Sequence, residues 1–525
     1  MNGSKRSGSF SFVVVILLGS IFSLFPLAGQ GFAQSEDDQR AWLQALDSLS
    51  SERMLADVRT LSSPAFNGRQ TGSEDDLRSA GWVGDQFLAS RIRLAFVPLD
   101  PLPGKGFMSK PHQAIIIGPE PTLQISTARI PGDQRLGTDF LPVLDSPSAH
   151  IRASIVFVGY GIVDAASSMD DYAGVDVNNC IVLFLRGKPD HFKETITHAD
   201  KVRIARQKGA VGYLSATGPV LSSYETRRGV TGQPSAFYGL SPASDNLPGA
   251  WISTSRAEHI IAGTDHSNQK RLQSIQEQLN RASESRSFLT EYFGAFEWES
   301  EQKQGFLINV IAVLPGSDPQ LKHEAIVIGA HRDHFGRQGE LLFPGADDNA
   351  SGTAVMLEVA RKLAQLTALS QRSHLRQPQR IRAGPKRTIL FISVSGEEQG
   401  LVGSRLYIDR PIVPIAMTKA MINIDHAGIG NGRLTVGVTG LEKTVAADAG
   451  QLAAVADKLD LFGFFPGGDH VPFKEAGVPT ITVVSGGVHP HFHQPTDTAD
   501  TINPEILHTV ARYVLALTLQ LANAQ

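Results

Sequence analysis

The stretch Ala325–Arg361, AIVIGAHRDHFGRQGELLFPGADDNASGTAVMLEVAR, decides how this chain of 525 residues is read. It opens with an unbroken apolar run, Ala325–Gly329, the pattern of a strand buried on both faces. His331 and Asp333 stand at the end of that strand, one residue apart. A Gly-rich loop leads to Asp347-Asp348-Asn349, which opens a helix with apolar residues at Val355, Val359 and Leu363. Open α/β sheets collect ligands at the carboxyl ends of their strands. His-x-Asp at a strand end, followed by paired acids at a helix start, therefore predicts half of a metal site.

The other half is sought further along the chain. Strands are predicted at Thr388–Val394, Met421–Ile424 and Thr480–Val484. Glu397 and Glu398 follow the first, Asp425 ends the second, and His489, His491 and His493 follow the third. Together with Ala325–Gly329, four strands bring imidazole or carboxylate to one sheet edge. Zinc accepts imidazole nitrogen and carboxylate oxygen, and a catalytic zinc keeps one position open. Two zincs about 3.5–4 Å apart can share a carboxylate and a water. The available residues then divide into two His, a bridging Asp, one further Asp and one Glu as ligands, with one Glu left over. A metal-bound water has its pKa lowered towards ~7, and the spare carboxylate can pass its proton to a leaving amine. At this stage Asp347 competes with Asp348 as the bridge. Asn349-Ala350-Ser351 also fits a glycosylation acceptor, while His334, His426, His470, His489 and His491 read as loop or supporting histidines. The turn Gly467–His470 either borders the pocket or simply joins a helix to a strand.

Composition narrows the classes around this core. With 42% hydrophobic and 19% charged residues the chain can bury a full core and is not a disordered protein. A formal charge of −4 gives no electrostatic case for nucleic acid or an anionic membrane surface, which leaves small molecules and peptides. Residues 1–33 read as a signal peptide: Lys5 and Arg6, the apolar Phe12–Phe25, then Gly31-Phe32-Ala33 as a cleavage site. The apolar run, ended by Pro26, falls short of the ~20 residues of a spanning helix, and an uncleaved anchor is the alternative. Cys180 is the only cysteine, so no internal disulfide can form.

Residues 34–140 read as the N-terminal part of the catalytic domain and a crossover. They are helical from Asp47 to Leu99, apart from a polar turn, Asn67–Ser73, that either links two helices or packs near the site. Residues 141–290 alternate short strands (Ala153–Ile162, Cys180–Leu185, Gly209–Leu214) with a helix, Ala199–Lys208, as an inserted α/β domain. Residues 291–525 complete the catalytic domain. There Leu307–Leu314 and Ala325–Gly329 are expected as a hairpin, Thr353–Leu366 as a helix and Thr367–Arg387 as a basic surface link. Further helices are expected at Val402–Ile408, Leu441–Leu459 and Glu505–Ala522.

The motifs GAHRDHFG, PGADDNASGTA, SGEEQGLVGS, INID and HFHQPTDT, in that order, resemble those of the co-catalytic di-zinc aminopeptidases, a group that includes transferrin-receptor-like and glutamate-carboxypeptidase-like proteins. The resemblance covers about residues 45–100 and 305–520. The insert, with GYGI and DYAGVDV, resembles a protease-associated (PA) domain.

The resemblance implies an α/β zinc-exopeptidase fold (phosphorylase/hydrolase-like): a three-layer α/β/α domain with a mixed central sheet, plus the small PA-like insert. It implies two Zn ions, one on His331 and Asp425, the other on Glu398 and His493, with Asp348 as the bridge. Glu397 would be the general base and acid, and Asp333 would accept the second imidazole N–H of His331. A cis peptide is expected at Asp348-Asn349. Phe492 stands where many relatives carry a Tyr whose hydroxyl can stabilise an oxyanion. The implied activity is that of an exported, periplasmic or secreted aminopeptidase acting on peptides with a free N-terminus, with no membrane span after signal cleavage. A carboxypeptidase or glutaminyl cyclase on the same scaffold, or an inactive receptor-like binding protein, are the rival expectations.

Overall fold

The computed structural model describes residues 35–95, 97, 106–127, 132–221, 225–226, 230–263, 271–376 and 382–524. The expected leader, 1–33, and the middle of the basic link, 377–381, lie outside the described residues.

The stretch AIVIGAH forms the strand Ala325–His331, buried at every position near the centre of a nine-stranded sheet. It pairs in parallel with Thr388–Val394 on one side and Thr418–Asp425 on the other, and Thr418–Asp425 pairs in parallel with Thr480–Ser485. Strands covered on both faces need apolar residues at nearly every position, which is why these read as continuous hydrophobic runs. Their side chains still alternate: Ile326, Ile328 and Ala330 enter one core, Ala325 and Val327 another. The first core is roofed by the helices Glu36–Asp47, Ser51–Leu61, Glu74–Ala89, Gly352–Arg376, Lys443–Leu452 and Pro504–Asn523. The second is covered by Val402–Asp409 and His470–Glu475, through Leu406, Tyr407 and Phe473. The result is helix, mixed sheet, helix. Four parallel strands point their carboxyl ends the same way, and His331 and Asp425 occupy two of those ends.

The expected hairpin is not formed. Thr388–Val394 lies between Ser300–Leu314 and Ala325–His331, antiparallel to the first and parallel to the second. A wholly apolar strand needs a partner on each edge, and the helix Gly352–Arg376 provides the crossover that parallel pairing requires. That helix runs ten residues beyond its expected end at Leu366, into the supposed polar link. The hydroxyls of Thr367 and Ser370 donate to the carbonyls of Leu363 and Leu366, so these polar residues fit inside the helix. The helix expected over Leu441–Leu459 instead stops at Leu452. Ala454 adopts a left-handed conformation, and Leu459–Phe462 becomes an edge strand on Leu434–Thr439.

A second, seven-stranded sheet is ordered Thr122–Ser126, Phe288–Trp298, Ala149–Phe157, Ile181–Leu185, Gly212–Ala216, Gly249–Ile252, Phe140–Pro142. The helices Thr254–Ala262 and Arg271–Leu279 pack on one face and His198–Gln207 on the other. Two short links join the sheets: residues 118–121 between Phe107–Ile117 and Thr122–Ser126, and Glu299 between Phe288–Trp298 and Ser300–Leu314. Among the described residues, no helix is long and apolar enough to cross a membrane.

Asp171, the first residue of the DYAGVDV motif, is buried in this second unit. One of its carboxylate oxygens accepts the N–H groups of Tyr160 and Ile162, both at 3.0 Å; the other, Oδ1, has no hydrogen-bond partner among the described residues. Burial pushes its pKa up to about 6 from 3.8, against the backbone donors and the nearby Lys201 charge. The folded form therefore holds a proton that the unfolded chain has lost, and stability must fall as pH rises from about 4 to 6. Asp171→Asn keeps the acceptor and removes the charge. It should flatten that slope, making the variant more stable than wild type at pH 7 by up to about 3 kcal/mol and equal to it near pH 4. Urea midpoints across that range measure it.

Candidate metal centre

The edge defined by the parallel strands gathers side chains from five places in the chain. His331 and Asp425 end their strands. Glu397 and Glu398 follow Thr388–Val394, Asp348 lies in the turn Ala346–Ser351 that opens the long helix, and His493 arrives on the loop after Thr480–Ser485. The His331 Nε2 is 3.3 Å from Asp348 Oδ1 and 3.4 Å from Asp425 Oδ1. On the other side, His493 Nε2 is 3.1 Å from Asp348 Oδ2 and 3.5 Å from Glu398 Oε2. The two oxygens of one carboxylate thus face two different histidine–carboxylate pairs. The ligand atoms of His331, Glu397 and Glu398 also lie within 4.8 Å of one another.

This donor set fits metal ions. Asp425 Oδ1 is buried without a hydrogen-bond partner among the described residues, and it faces an imidazole nitrogen. Burial pushes Glu397 up to about 8, with Asp469, Asp425 and Asp348 adding like charge, and burial raises Glu398 well above the carboxylate range. Burial also works to raise Asp348, but His426, His331 and His493 hold it well below its usual value. Packing so many acids in a dry site is costly unless cations offset them. Imidazole nitrogen with carboxylate oxygen suits zinc.

The residues holding these groups come from inside and outside the motifs. Asp497 accepts the backbone N–H groups of Asp347 (2.9 Å) and Asp348 (3.1 Å), which fixes the turn that presents Asp348. Asp347 points away from the paired clusters. It accepts from Gly428 and Ile429 N–H at 2.7 and 3.0 Å and lies 2.6 Å from His489 Nδ1 and 3.4 Å from His426 Nδ1. The peptide Asp348-Asn349 is cis. Asn349 is fully buried and donates to Ile424 O at 2.9 Å, so a glycan on it is incompatible with the fold.

Asp333 meets His331 differently from expectation. The Nδ1 of His331 lies 3.2 Å from the Asp333 carbonyl oxygen and 3.6 Å from its carboxylate, which accepts from Thr71 Oγ1 (2.9 Å) and from Glu397 N–H (3.3 Å). His334, read from sequence as a supporting histidine, is fully buried with Nδ1 2.9 Å from Glu398 Oε1, and its Nε2 has no hydrogen-bond partner among the described residues. Burial lowers its pKa far below the usual value. His470 bonds to the Phe465 carbonyl and His491 lies near Thr496 Oγ1. Asp469 is buried, neither of its oxygens has a hydrogen-bond partner among the described residues, and burial takes it up to about 7. Phe492 stacks on His493, with ring centroids 3.6 Å apart.

The polar turn Asn67–Ser73 packs at the site. Arg69, fully buried, donates to the carbonyls of Leu61, Arg332, Pro344 and Gly345, tying together the loops that carry His331 and Asp348. Burial lowers its pKa to about 10, so it stays charged. Arg332, between His331 and Asp333, pairs with Asp76 at 2.6 Å, both side chains fully buried. A mixed dipeptide pattern gives no sign of such contacts, because each partner is far away in sequence. Beside Gln399, which follows Glu398, a cavity of about 540 Å³ opens between the two sheets, lined by His112, Gln113, Asp145, Tyr238 and Gln304 among others.

A mixed sheet with histidines and carboxylates converging at its carboxyl edge defines the class: an α/β metal-centre protein with a second, inserted sheet. Residues 309–518 match the model of Peptidase family M28. A probable glutamate carboxypeptidase, AMP1, of Arabidopsis thaliana is 25% identical over 426 residues, covering 72% of this chain and 54% of that protein. A probable leucine aminopeptidase of Arthroderma otae is 30% identical over 223 residues, 41% of this chain and 58% of that protein. The chain thus spans little more than half the length of these relatives. The solved structure of an aminopeptidase from Aneurinibacillus sp. strain AM-1 superposes with a TM-score of 0.62 at 23% identity, covering 93% of this chain and 96% of that one, a likeness of fold.

Asp497→Ala leaves two buried N–H groups without an acceptor, each worth about 1–3 kcal/mol. The variant should unfold at clearly lower urea concentration than wild type and retain less metal after dialysis, read by equilibrium unfolding and elemental analysis.

Proposed function

We propose that this chain is an exported zinc aminopeptidase that hydrolyses the first peptide bond of peptides with a free N-terminus. The observation that carries the reading is the division of the Asp348 carboxylate between His331–Asp425 on one side and His493–Glu398 on the other. In this reading His331 and Asp425 would hold one zinc, His493 and Glu398 a second, and Asp348 would serve both. Zinc, when bound, supplies the Lewis-acid charge that activates water and polarises a peptide carbonyl.

Glu397 stands among these groups without being needed as a ligand. It takes the proton from water and returns it to the leaving amine, a role suited to a carboxyl whose burial raises its proton affinity. The Asp333 carboxylate holds the Glu397 backbone N–H, while the Asp333 carbonyl fixes Nδ1 of His331 and leaves Nε2 for the metal. The cavity beside Gln399 receives the peptide beyond the scissile bond. Phe492, stacked on His493, offers no hydroxyl to an oxyanion. Residues 1–33 direct export, and the second sheet is a PA-like insert.

Carboxypeptidase chemistry is the second reading, favoured by the likeness to a probable glutamate carboxypeptidase over 72% of the chain. An inactive binding role fits less well, because every donor of both sets is present.

Purified protein should carry about two zinc ions per chain. Glu397→Gln should keep them and lose about 10²–10⁴-fold in kcat. Full activity in that variant overturns the mechanism. Cleavage of peptides with free carboxyl ends but blocked amines, in place of aminoacyl-p-nitroanilides, selects the carboxypeptidase.

A further inference from the structure

Among the described residues, segment 232–240 carries the second sheet to the metal centre, and that contact has consequences for the centre. His493 and Ala236 exchange two hydrogen bonds: the Ala236 N–H donates to the His493 carbonyl at 3.0 Å, and His493 Nδ1 lies 2.8 Å from the Ala236 carbonyl. A carbonyl can only accept, so Nδ1 must carry a proton, which leaves Nε2 as the nitrogen facing Asp348 and Glu398 and the one available to a metal. Gln494 clamps the same segment, its amide donating to Pro234 O and to Ser235 Oγ, both at 2.9 Å.

The segment is anchored to the second sheet on both sides of this contact. The Thr254 N–H donates to Gly232 O (2.7 Å) and the Leu144 N–H to Phe237 O (3.1 Å). The Asp145 carboxylate accepts from Gly239 N–H (2.6 Å) and Leu240 N–H (2.7 Å). The chain of contacts runs from the second sheet through 232–240 to a single imidazole. His331, by contrast, takes its Nδ1 partner from Asp333, two residues away on the main-sheet side.

We propose that segment 232–240 of the insert is a positioning element for one of the two metal sites: it fixes the tautomer and orientation of His493, so the site of His493 and Glu398 is complete only while the insert is seated. The site of His331 and Asp425 does not depend on it. This rests on the zinc reading above, and it makes the insert part of the catalytic apparatus. Coupling of this kind is reciprocal, so metal at His493 must in turn hold the segment.

Two experiments test it. In wild type, removing zinc with a chelator should speed hydrogen exchange at the Ala236 amide tenfold or more, with little change at amides elsewhere in the second sheet. In Gln494→Ala, one of two zinc affinities should fall 10–100-fold, as expected when a ligand loses its orienting partner, while the other stays within twofold. Cobalt substitution should show a changed absorption band for one ion only. Ser235→Ala, which removes one of the two acceptors, should give a smaller loss. Unchanged exchange at Ala236 on zinc removal from folded wild type overturns the proposal, as does equal weakening of both sites in Gln494→Ala. Absence of stoichiometric zinc in wild type overturns the zinc reading itself and is recognised before either comparison is made.

Discussion

The carboxylate of Asp348 is the constraint on which the rest of the site depends. Its two oxygens face two histidines delivered from opposite directions, so its position sets the spacing of everything else. A side chain in a turn would not hold such a position unaided. Asp497 grips the N–H groups of Asp347 and Asp348, Arg69 gathers the carbonyls of Pro344 and Gly345, and Asn349 ties the turn to Ile424. The turn that opens the long helix is therefore fixed from three sides, by residues from three separate parts of the chain.

Electrostatics explain why the surrounding shell is so heavily built. Buried acids crowd the sheet edge, and the buried Arg69 and Arg332 stand just behind them. Arg332 is matched by Asp76, whereas Arg69 donates to four carbonyls, so it lends positive charge to the region without neutralising any single acid. Burial, with like charge beside it, raises the proton affinity of Glu397 and Glu398, a cost that a bound cation would offset.

The two sheets divide the work. The main sheet supplies rigid strand ends, and the second sheet supplies one wall of the cavity, through Tyr238 and Asp145, and the carbonyl that faces His493. Two short links join them in sequence, but the contacts at His493 and Gln494 join them at the metal centre.

The sequence by itself determined the core. Runs such as Ala325–Gly329 and Thr388–Val394 could only be strands buried on both faces, and polar residues directly after such runs had to emerge at one edge. Five ordered motifs then identified which of those residues to weigh together. What the sequence did not contain was partner choice. Nothing local told Ala325–His331 to pair with Thr388–Val394 in place of the nearer Leu307–Leu314, because strand order is set by which edges remain unpaired in the whole sheet. Nor could it tell that Asp347 turns towards His489, that His334 reaches Glu398, or that Asp333 meets His331 chiefly through its carbonyl, since those depend on side-chain direction at the end of a fixed turn. The contacts of Arg69, Asp497 and Ala236 were beyond reach for the same reason: their hydrogen bonds span long sequence separations and leave no periodic trace. The donors were written in the chain, but their division around Asp348 was decided by the tertiary structure, where only a fully packed shell can hold so many buried charges in place.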